Sequence, residues 1–167
     1  AGSTNVVIAI VDDSVEWTHT DLTANIFTNA AEVPGNAVDD DGNGYVDDVH
    51  GWDFGMEDND PGPSAPQHAH GTACAGIAAA AGNNGQGVAG IAYQSRILPV
   101  KVFNDSDEMH DSAGAATAIY YAAGRARNGV GRWRGADVIS ISLTFPEAMV
   151  TDDALAWAAT QGRGGKG

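Results

Sequence analysis

The segment Val6-Val7-Ile8-Ala9-Ile10-Val11 runs directly into Asp12 and decides the fold class of this chain. Its residues are continuously apolar and mostly β-branched, a pattern that indicates a strand buried on both faces of a parallel sheet. Two later runs, Ile97 to Val102 and Asp137 to Ser142, are interpreted in the same way. The sequence therefore predicts a parallel sheet of at least these strands.

Alanine-rich segments separate and follow the later strands and are predicted to be helices. They span residues 71–81, 112–126 and 152–160. Gly82 is a predicted C-cap, Asp111 and Thr151 are predicted N-caps, and Gly162 is predicted to stop the last helix. Strands that alternate with helices are typical of an α/β sheet with right-handed crossovers.

The charge is strongly acidic and unevenly distributed. Across 167 residues the net charge is −14; all eight Lys and Arg lie at Arg96 or later, while fourteen of the 22 acids precede it. Such a surface repels phosphate backbones and anionic lipid, so we expect no nucleic-acid partner. No apolar run approaches the ~18 residues of a membrane span, so no membrane insertion is expected. A single cysteine, Cys74, excludes an internal disulfide but leaves the cellular compartment open.

Asp12 and His70 are the candidates for chemistry. Reactive groups in open α/β sheets gather beyond the carboxyl ends of strands, where Asp12 lies. His70 begins a predicted helix, where the dipole disfavours the imidazolium. An aspartate that accepts a hydrogen bond from such a histidine fixes its tautomer for proton transfer. The alternative, a strand-end cap and an ordinary helix-start residue, stays open on spacing alone.

Four motifs in order resemble those of the subtilisin-like serine peptidases. Residues 8–22, IAIVDDSVEWTHTDL, resemble the aspartate motif, and residues 70–76, HGTACAG, resemble the histidine motif. Residues 83–92 are similar to the family's calcium loop, and residues 138–143 to its substrate-binding strand. The Asp12-Asp13 pair, Cys74 and the ending 161–167 lean towards the kexin-like branch. The resemblance implies a three-layer αβα fold with a mainly parallel sheet.

The resemblance also implies roles for individual residues. Asp12 would orient His70, and His70 would act first as general base and then as general acid. Asp13 would face the subsite beside the scissile residue and favour a basic side chain, although a solvated turn carboxylate is an equal alternative. Extended substrate would pair with the strand at Ser140, Ser142, Leu143 and Thr144. Ser14 replaces the family's usual glycine, so the turn there must avoid a glycine-only conformation.

Calcium is the cofactor that the resemblance implies. Asp21 matches a carboxylate ligand and Asn84 a side-chain ligand, with main-chain carbonyls of Gly82, Gln86 and Val88 as partners. Oxygen ligands of this mixture suit calcium rather than zinc.

Two further acidic groups are candidate calcium sites. The first imitates an EF-hand loop through Asp39, Asp41, Asn43, Tyr45 and Asp47, but its twelfth position is His50 instead of glutamate. A flexible acidic turn is the alternative for this stretch. A weaker group, Asp53, Asp58 and Asp60, resembles a calcium loop of kexin-like enzymes.

The remaining histidines and the cysteine are given structural interpretations. His19, His50, His68 and His110 lack metal-ligand spacing and are expected at the surface. Cys74 is expected to be a small buried helix residue, because a Cys/His pair on one helix leaves no place for a substrate carbonyl.

No serine in these 167 residues has the family's nucleophile motif. We therefore expect residues 1–167 to be the N-terminal portion of one peptidase domain, with an acidic calcium-loop insertion at about 28–67. The fold would be truncated before the serine-bearing part, and the chain alone would be inactive. The expected function is a secreted or cell-envelope serine endopeptidase acting on proteins or peptides, with the missing C-terminal part as partner. A non-catalytic, calcium-stabilised peptide-binding protein is the alternative; a dinucleotide-binding domain is disfavoured because no Gly-x-Gly-x-x-Gly turn follows the first strand.

Overall fold

The computed structural model describes residues 1–109, 111–129, 133–145 and 147–165. The elements, in chain order, are β1 (Val7–Asp12), a 3₁₀ turn (Thr23–Asn25), β2 (Trp52–Asp53), α1 (His70–Ala79), β3 (Arg96–Lys101), α2 (Ser112–Ala122), β4 (Val138–Ile141) and α3 (Met149–Gly165). The strand–helix alternation predicted from the sequence is therefore confirmed. His110, one of the four histidines expected at the surface, lies outside the described residues.

The four strands form one parallel sheet in the order β2-β3-β1-β4. β1 lies between two neighbours and pairs Asp12 with Lys101 on β3 and Val11 with Ile141 on β4. This register brings the carboxyl ends of three strands to the same edge of the sheet. Pro99 is tolerated inside β3 because β2 pairs with β3 only from Val100 onward.

Helices cover both faces of the sheet, as a three-layer arrangement requires. On one face Ile10 and Ile97 pack with Ala75 and Ala79 of α1. On the other face a larger cluster joins the remaining strand residues to Ala118, Tyr121 and Ala122 of α2, and α3 packs on α2. The alternation of β1 side chains between these two clusters explains why the whole strand is apolar.

Helix ends differ from the predictions in three places. α1 ends at Ala79 because Ala80 takes an extended conformation, so Gly82 is not its C-cap. α2 ends at Ala122, four residues earlier than expected, while Asp111 caps its start by accepting the Gly114 amide at 2.9 Å. α3 begins at Met149, so Thr151 is not its N-cap; its backbone leaves helical geometry at residues 162–164, as the prediction of a stop at Gly162 requires.

The acidic insertion at 28–67, or excursion, contains some regular structure. It contains β2, which the sequence pattern did not reveal because a two-residue strand has no periodicity to detect. Its core is aromatic: Tyr45 packs edge-on against Trp52, Phe54 and Tyr121, with ring centroids 4.7–5.7 Å apart. These contacts attach the excursion to α2 and to the edge of the sheet.

Candidate active site

Asp12 and His70 are in direct contact at the carboxyl edge of the sheet. His70 Nδ1 donates to Asp12 Oδ1 at 2.8 Å. The Asp12 side chain is 3% exposed, whereas the His70 side chain is 58% exposed. The contact therefore holds one ring nitrogen against a buried carboxylate and leaves Nε2 directed away from it, accessible from solvent.

Two features place the start of α1 at this edge: the close packing of Gly71 and the capping of the helix by Asp13. A Cβ on Gly71 would lie 2.2 Å from the Ser14 carbonyl oxygen and 2.7 Å from the Asp12 Cβ, so only glycine lets the helix start this close to β1. The Asp13 carboxylate accepts the backbone amides of His70 and Gly71 at 3.1 and 2.8 Å, which supplies the capping that Ala69 cannot. Asp13 thus orients the start of α1; its expected role in substrate binding stays a prediction.

The pKa values of the pair shift in the same direction for different reasons. Burial raises the pKa of Asp12, and the hydrogen bond from His70 only partly opposes this. The hydrogen bond to Asp12, together with its charge, raises the pKa of His70 above 6.5. The imidazolium is therefore favoured at this position, contrary to the expectation from the helix start alone. Asp12 Oδ2 is buried and has no hydrogen-bond partner among the described residues.

Ser14 and Cys74 complete the immediate surroundings of the pair. Ser14 has no positive φ, which agrees with its non-glycine identity, and its hydroxyl donates to the His68 carbonyl at 2.7 Å. Cys74 is only half-buried, and its Sγ lies 3.9 Å from His70 Nδ1. The thiol is therefore one helical turn beyond His70 and beside its ring, rather than enclosed in the core as predicted.

Three of the four histidines expected at the surface lie among the described residues, and only one of the three is exposed. His19 is exposed, whereas His50 is half-buried and stacks on Trp17 at 4.9 Å between ring centroids. The surface prediction for His68 is wrong: the residue is 2% exposed, and its Nε2 contacts the Asp107 carboxylate. The cause is the loop after β3, which folds over residue 68 and whose path local sequence spacing does not encode.

The expected substrate-binding residues lie at the outer strand of the sheet. Ser140 belongs to β4, and Ser142, Leu143 and Thr144 follow it at the level of Asp12. Among the described strands, β4 pairs only with β1. Its second edge therefore carries backbone groups of the kind that bind an extended peptide.

The loop at 82–88 wraps around the Asp21 carboxylate. Asp21 is 4% exposed and accepts the Asn84 side-chain amide at 2.7 Å and the Val88 backbone amide at 2.8 Å. A Cβ on Gly87 would lie 2.1 Å from Asp21 Oδ2, at a φ of +48°. These contacts, chiefly the one from Asn84, lower the pKa of Asp21. In this arrangement N–H groups of the loop donate to the Asp21 carboxylate, and the calcium-binding role expected of Asp21 and Asn84 stays a prediction.

The EF-hand-like stretch is partly assembled around a residue that the sequence argument missed. Carboxylate oxygens of Asp39, Asp41 and Glu32 lie within 4.8 Å of one another. Glu32 accepts the backbone amides of Asp41 and Asp47, each at 3.0 Å. Glu32 precedes the motif by seven residues, and no recognised spacing connects it to the loop.

The other predicted ligands in this stretch, Asn43, Tyr45 and Asp47, are buried. The Tyr45 ring is buried in the aromatic core, and Asp47 accepts the amides of Asn36 and Ala37 at 3.2 and 2.9 Å. Asn43 donates to Asp48 Oδ2 at 2.9 Å. Burial raises the pKa of this fully buried Asp48 to about 7, and no sequence signal separates it from its acidic neighbours.

In the third acidic group the backbones of Asp53 and Asp58 pair, but the carboxylates have other partners. Asp53 is 1% exposed and forms an ion pair with Lys101 Nζ at 2.7 Å. Asp58 accepts the Asp60 amide, and Asp60 accepts the indole N–H of Trp17, each at 3.0 Å. The Asp53 carboxylate is thus already neutralised by a buried lysine.

The parallel sheet, covered on both faces by helices and with an Asp–His pair at its carboxyl edge, has the architecture of subtilisin-like proteins. A protease from Pseudoalteromonas arctica has a similar structure, with a TM-score of 0.63 and 31% identity over 93% of this chain and 46% of that one. Sphericase has the same fold, with a TM-score of 0.61 over 96% of this chain and 44% of that one, at 24% identity. The profile of the subtilase family matches residues 3–166, and the chain belongs to this family.

Curated relatives match all or part of this chain in sequence. Thermitase of Thermoactinomyces vulgaris is 39% identical over 81% of this chain, and this match covers 36% of thermitase. Subtilisin-like protease 1 of Plasmodium vivax is 39% identical over 58% of the chain and 15% of that protein. A dibasic-processing endoprotease of Yarrowia lipolytica is 31% identical over 97% of the chain and 14% of that protein. The chain therefore spans well under half the length of these relatives. Within the described residues, no helix is both long and apolar enough to cross a membrane.

Proposed function

We propose that this chain supplies the general base of a serine-type endopeptidase. The observation that carries the proposal is the 2.8 Å contact between His70 Nδ1 and a buried Asp12 carboxylate, which leaves Nε2 open to solvent. The serine nucleophile and the oxyanion donors come from polypeptide outside these residues. Support for that division comes from the relatives, of which the chain spans only a part.

His70 and Asp12 have a defined role in each step of the reaction. His70 Nε2 accepts the proton of the serine hydroxyl as its oxygen attacks the scissile carbonyl. The raised pKa of His70 favours the imidazolium that results, and Asp12 stays ionised and holds the ring in place. The same proton then passes from Nε2 to the nitrogen of the leaving amine. Water attacks the acyl-enzyme with His70 again acting as base.

Protein and peptide substrates are proposed to lie along the second edge of β4. Backbone groups at Ser140 to Thr144 would hold the substrate as an added strand that runs past His70. Asp13 would add a negative charge beside the scissile bond and favour a basic side chain. Its carboxylate caps α1 and belongs to the residue directly after Asp12.

Calcium is proposed as the resident cofactor, held first by Asp21 and the 82–88 loop. The carboxylate of Asp21, the amide oxygen of Asn84 and carbonyls of Gly82, Gln86 and Val88 would be the ligands, once the Asn84 amide turns its oxygen inward. Glu32, Asp39 and Asp41 would hold a second ion. Calcium would offset the mutual repulsion of these carboxylates. A secreted or cell-envelope location is proposed together with this cofactor, because calcium sites of extracellular modules fill at the calcium concentrations found there.

The test is labelling and hydrolysis by the full-length protein. We expect a fluorophosphonate probe to label the intact protein, and a fluorogenic peptide to be cleaved. His70→Ala should abolish both, whereas Asp153→Asn, which alters an exposed carboxylate on α3, should leave both unchanged. Labelling and cleavage that persist in His70→Ala would contradict the proposal; binding of peptide without any cleavage would favour the non-catalytic alternative.

A further inference from the structure

The nine residues that precede His70 have no regular secondary structure and lead directly into α1. Segment 61–69 must therefore be fixed by contacts other than a helix or strand. Two side chains do this, Lys101 at the end of β3 and His68 within the segment. Both side chains are 2% exposed.

Lys101 is the central contact. It is the register partner of Asp12 in the sheet, so it lies one strand away from the site. Its Nζ forms an ion pair with Asp53 Oδ2 at 2.7 Å and donates to Ser64 Oγ at 2.8 Å. A buried ammonium group retains few partners, and each partner's position is correspondingly restricted. Asp53 is fixed in β2, so Ser64 is the partner whose position Lys101 determines.

The loop after β3 holds the same segment at two further points. The Ser64 hydroxyl donates to the Asp105 carboxylate, which lies 3.6 Å from Lys101 Nζ. The His68 ring contacts Asp107 through Nε2. On the opposite side, the His68 carbonyl accepts the Ser14 hydroxyl, two residues beyond Asp12. Segment 64–68 is thus attached both to the strand that carries Asp12 and to the loop that follows Lys101.

We propose that Lys101, acting through Ser64, is a positioning residue that sets the contact between His70 and Asp12. The inference rests on the proposed function, in which that contact matters for proton transfer. Loss of the Lys101–Ser64 bond releases segment 64–68 at one end and leaves the start of α1 to be held by its contacts with Asp13 and Ser14, which loosens its approach to Asp12. Neither Lys101 nor Ser64 touches His70, so their effect on it is transmitted through this segment.

The test is the Ser64→Ala variant, followed by NMR of the His70 ring. Ser64 is exposed on its outer side, so the substitution removes the hydroxyl without opening a core cavity, and the Lys101–Asp53 pair remains. We expect the His70 pKa to fall towards 6.5, and the low-field Nδ1 proton signal to broaden or disappear. Ser64→Thr, which retains a hydroxyl, should restore both. Thr160→Ala, which removes a hydroxyl bonded to Ala156 on α3, is the matched control and should change neither.

An unchanged His70 pKa and an unchanged low-field signal in Ser64→Ala would overturn the inference. Asp107→Asn gives an independent measurement, since it weakens the second attachment; it too should lower the His70 pKa. Failure of the proposed function is distinguishable. In that case the full-length protein would not hydrolyse peptides, while the effect of Ser64 on the ring would still be observed.

Discussion

Asp12 and His70 show how a buried carboxylate changes the chemistry of an exposed imidazole. The strand ends on Asp12 in a position where burial raises the pKa of the carboxyl group and makes it a strong acceptor. His70 gains a partner for one nitrogen without losing solvent access at the other. The combination suits proton transfer better than either residue alone.

The first prediction concerns the titration of His70. In Asp12→Asn, the His70 pKa should fall towards 6.5, because both the hydrogen bond and the negative charge that raise it are weakened. NMR titration of the ring protons measures this, with exposed His19 as an internal reference. Asp153→Asn, a substitution at an exposed carboxylate on α3, should leave the His70 pKa unchanged.

The same shift has a consequence for stability. Because the pKa of His70 is raised in the folded state, its interaction with Asp12 stabilises the fold fully below the unfolded value of 6.5. That stabilisation is lost as the pH rises through the raised folded value. The difference in unfolding free energy between the wild type and His70→Ala should therefore shrink across this window in urea titrations. A difference that grows with pH would show that the pKa is lowered instead.

Gly71 and Gly76 offer a matched pair on one helix. Gly71→Ala places a Cβ 2.2 Å from the Ser14 carbonyl oxygen, so α1 must move, at a cost of about 1–3 kcal/mol. Gly76→Ala meets nothing within 4 Å and should stabilise α1 by about 0.5–1 kcal/mol through helix propensity. Denaturant unfolding measures both. Equal effects of the two substitutions would contradict the close approach of α1 to β1.

At the scale of elements, the loops rather than the helices carry the unusual features. The 82–88 loop closes on Asp21, and the acidic excursion is held by the aromatic cluster around Tyr45 and by carboxylates that accept backbone amides. The clustered carboxylates of Glu32, Asp39 and Asp41 repel one another, so the excursion has a reason to bind a cation. At the 82–88 loop, the single Asp21 carboxylate is the proposed charged ligand. The stability of both loops should therefore depend on calcium.

Calcium should raise the melting temperature, and a chelator should lower it. A ligand at 100 times its dissociation constant stabilises the fold by about 2.7 kcal/mol. Asp21→Ala should remove the part of this effect that belongs to the 82–88 loop, and Asp41→Ala the part that belongs to the excursion. Asp40→Ala, next to Asp41 but outside the carboxylate cluster, is the control. A melting temperature that is unchanged by the chelator would exclude both calcium sites.

Local sequence pattern was sufficient for three of the four strands and for the existence of the three helices, and the resemblance was sufficient for the pair at their edge. The apolar run before Asp12, the Asp111 cap and the resemblance at 70–76 predicted the β1 strand, the start of α2 and the proximity of His70 to Asp12. Contacts across long sequence separations were not predictable in this way. Glu32, the buried His68 and the Lys101–Asp53 pair depend on how irregular loops fold back on the sheet, and no period or spacing records that path.

At the scale of the whole molecule, β2 and β4 are the two edge strands of the described sheet, and the outer edge of β2 is bridged to Asp58. β4 is short, its Val138 is 52% exposed, and its outer edge has no strand beside it there. An exposed apolar edge strand invites pairing with another chain. We therefore expect the 167-residue chain to associate as its concentration rises, measured by light scattering. Val138→Lys should suppress this; Val33→Lys, at an exposed valine outside the sheet, should not.

The central claim is that Asp12 and His70 act together as the base of a peptidase. Its most direct test is kcat/KM of the full-length protein for a peptide substrate, compared between the wild type and Asp12→Asn. Loss of the carboxylate leaves the ring in the wrong tautomer, and the account predicts a fall on the order of 10⁴-fold, as in other Ser-His-Asp enzymes. A variant that retains wild-type kcat/KM would contradict it.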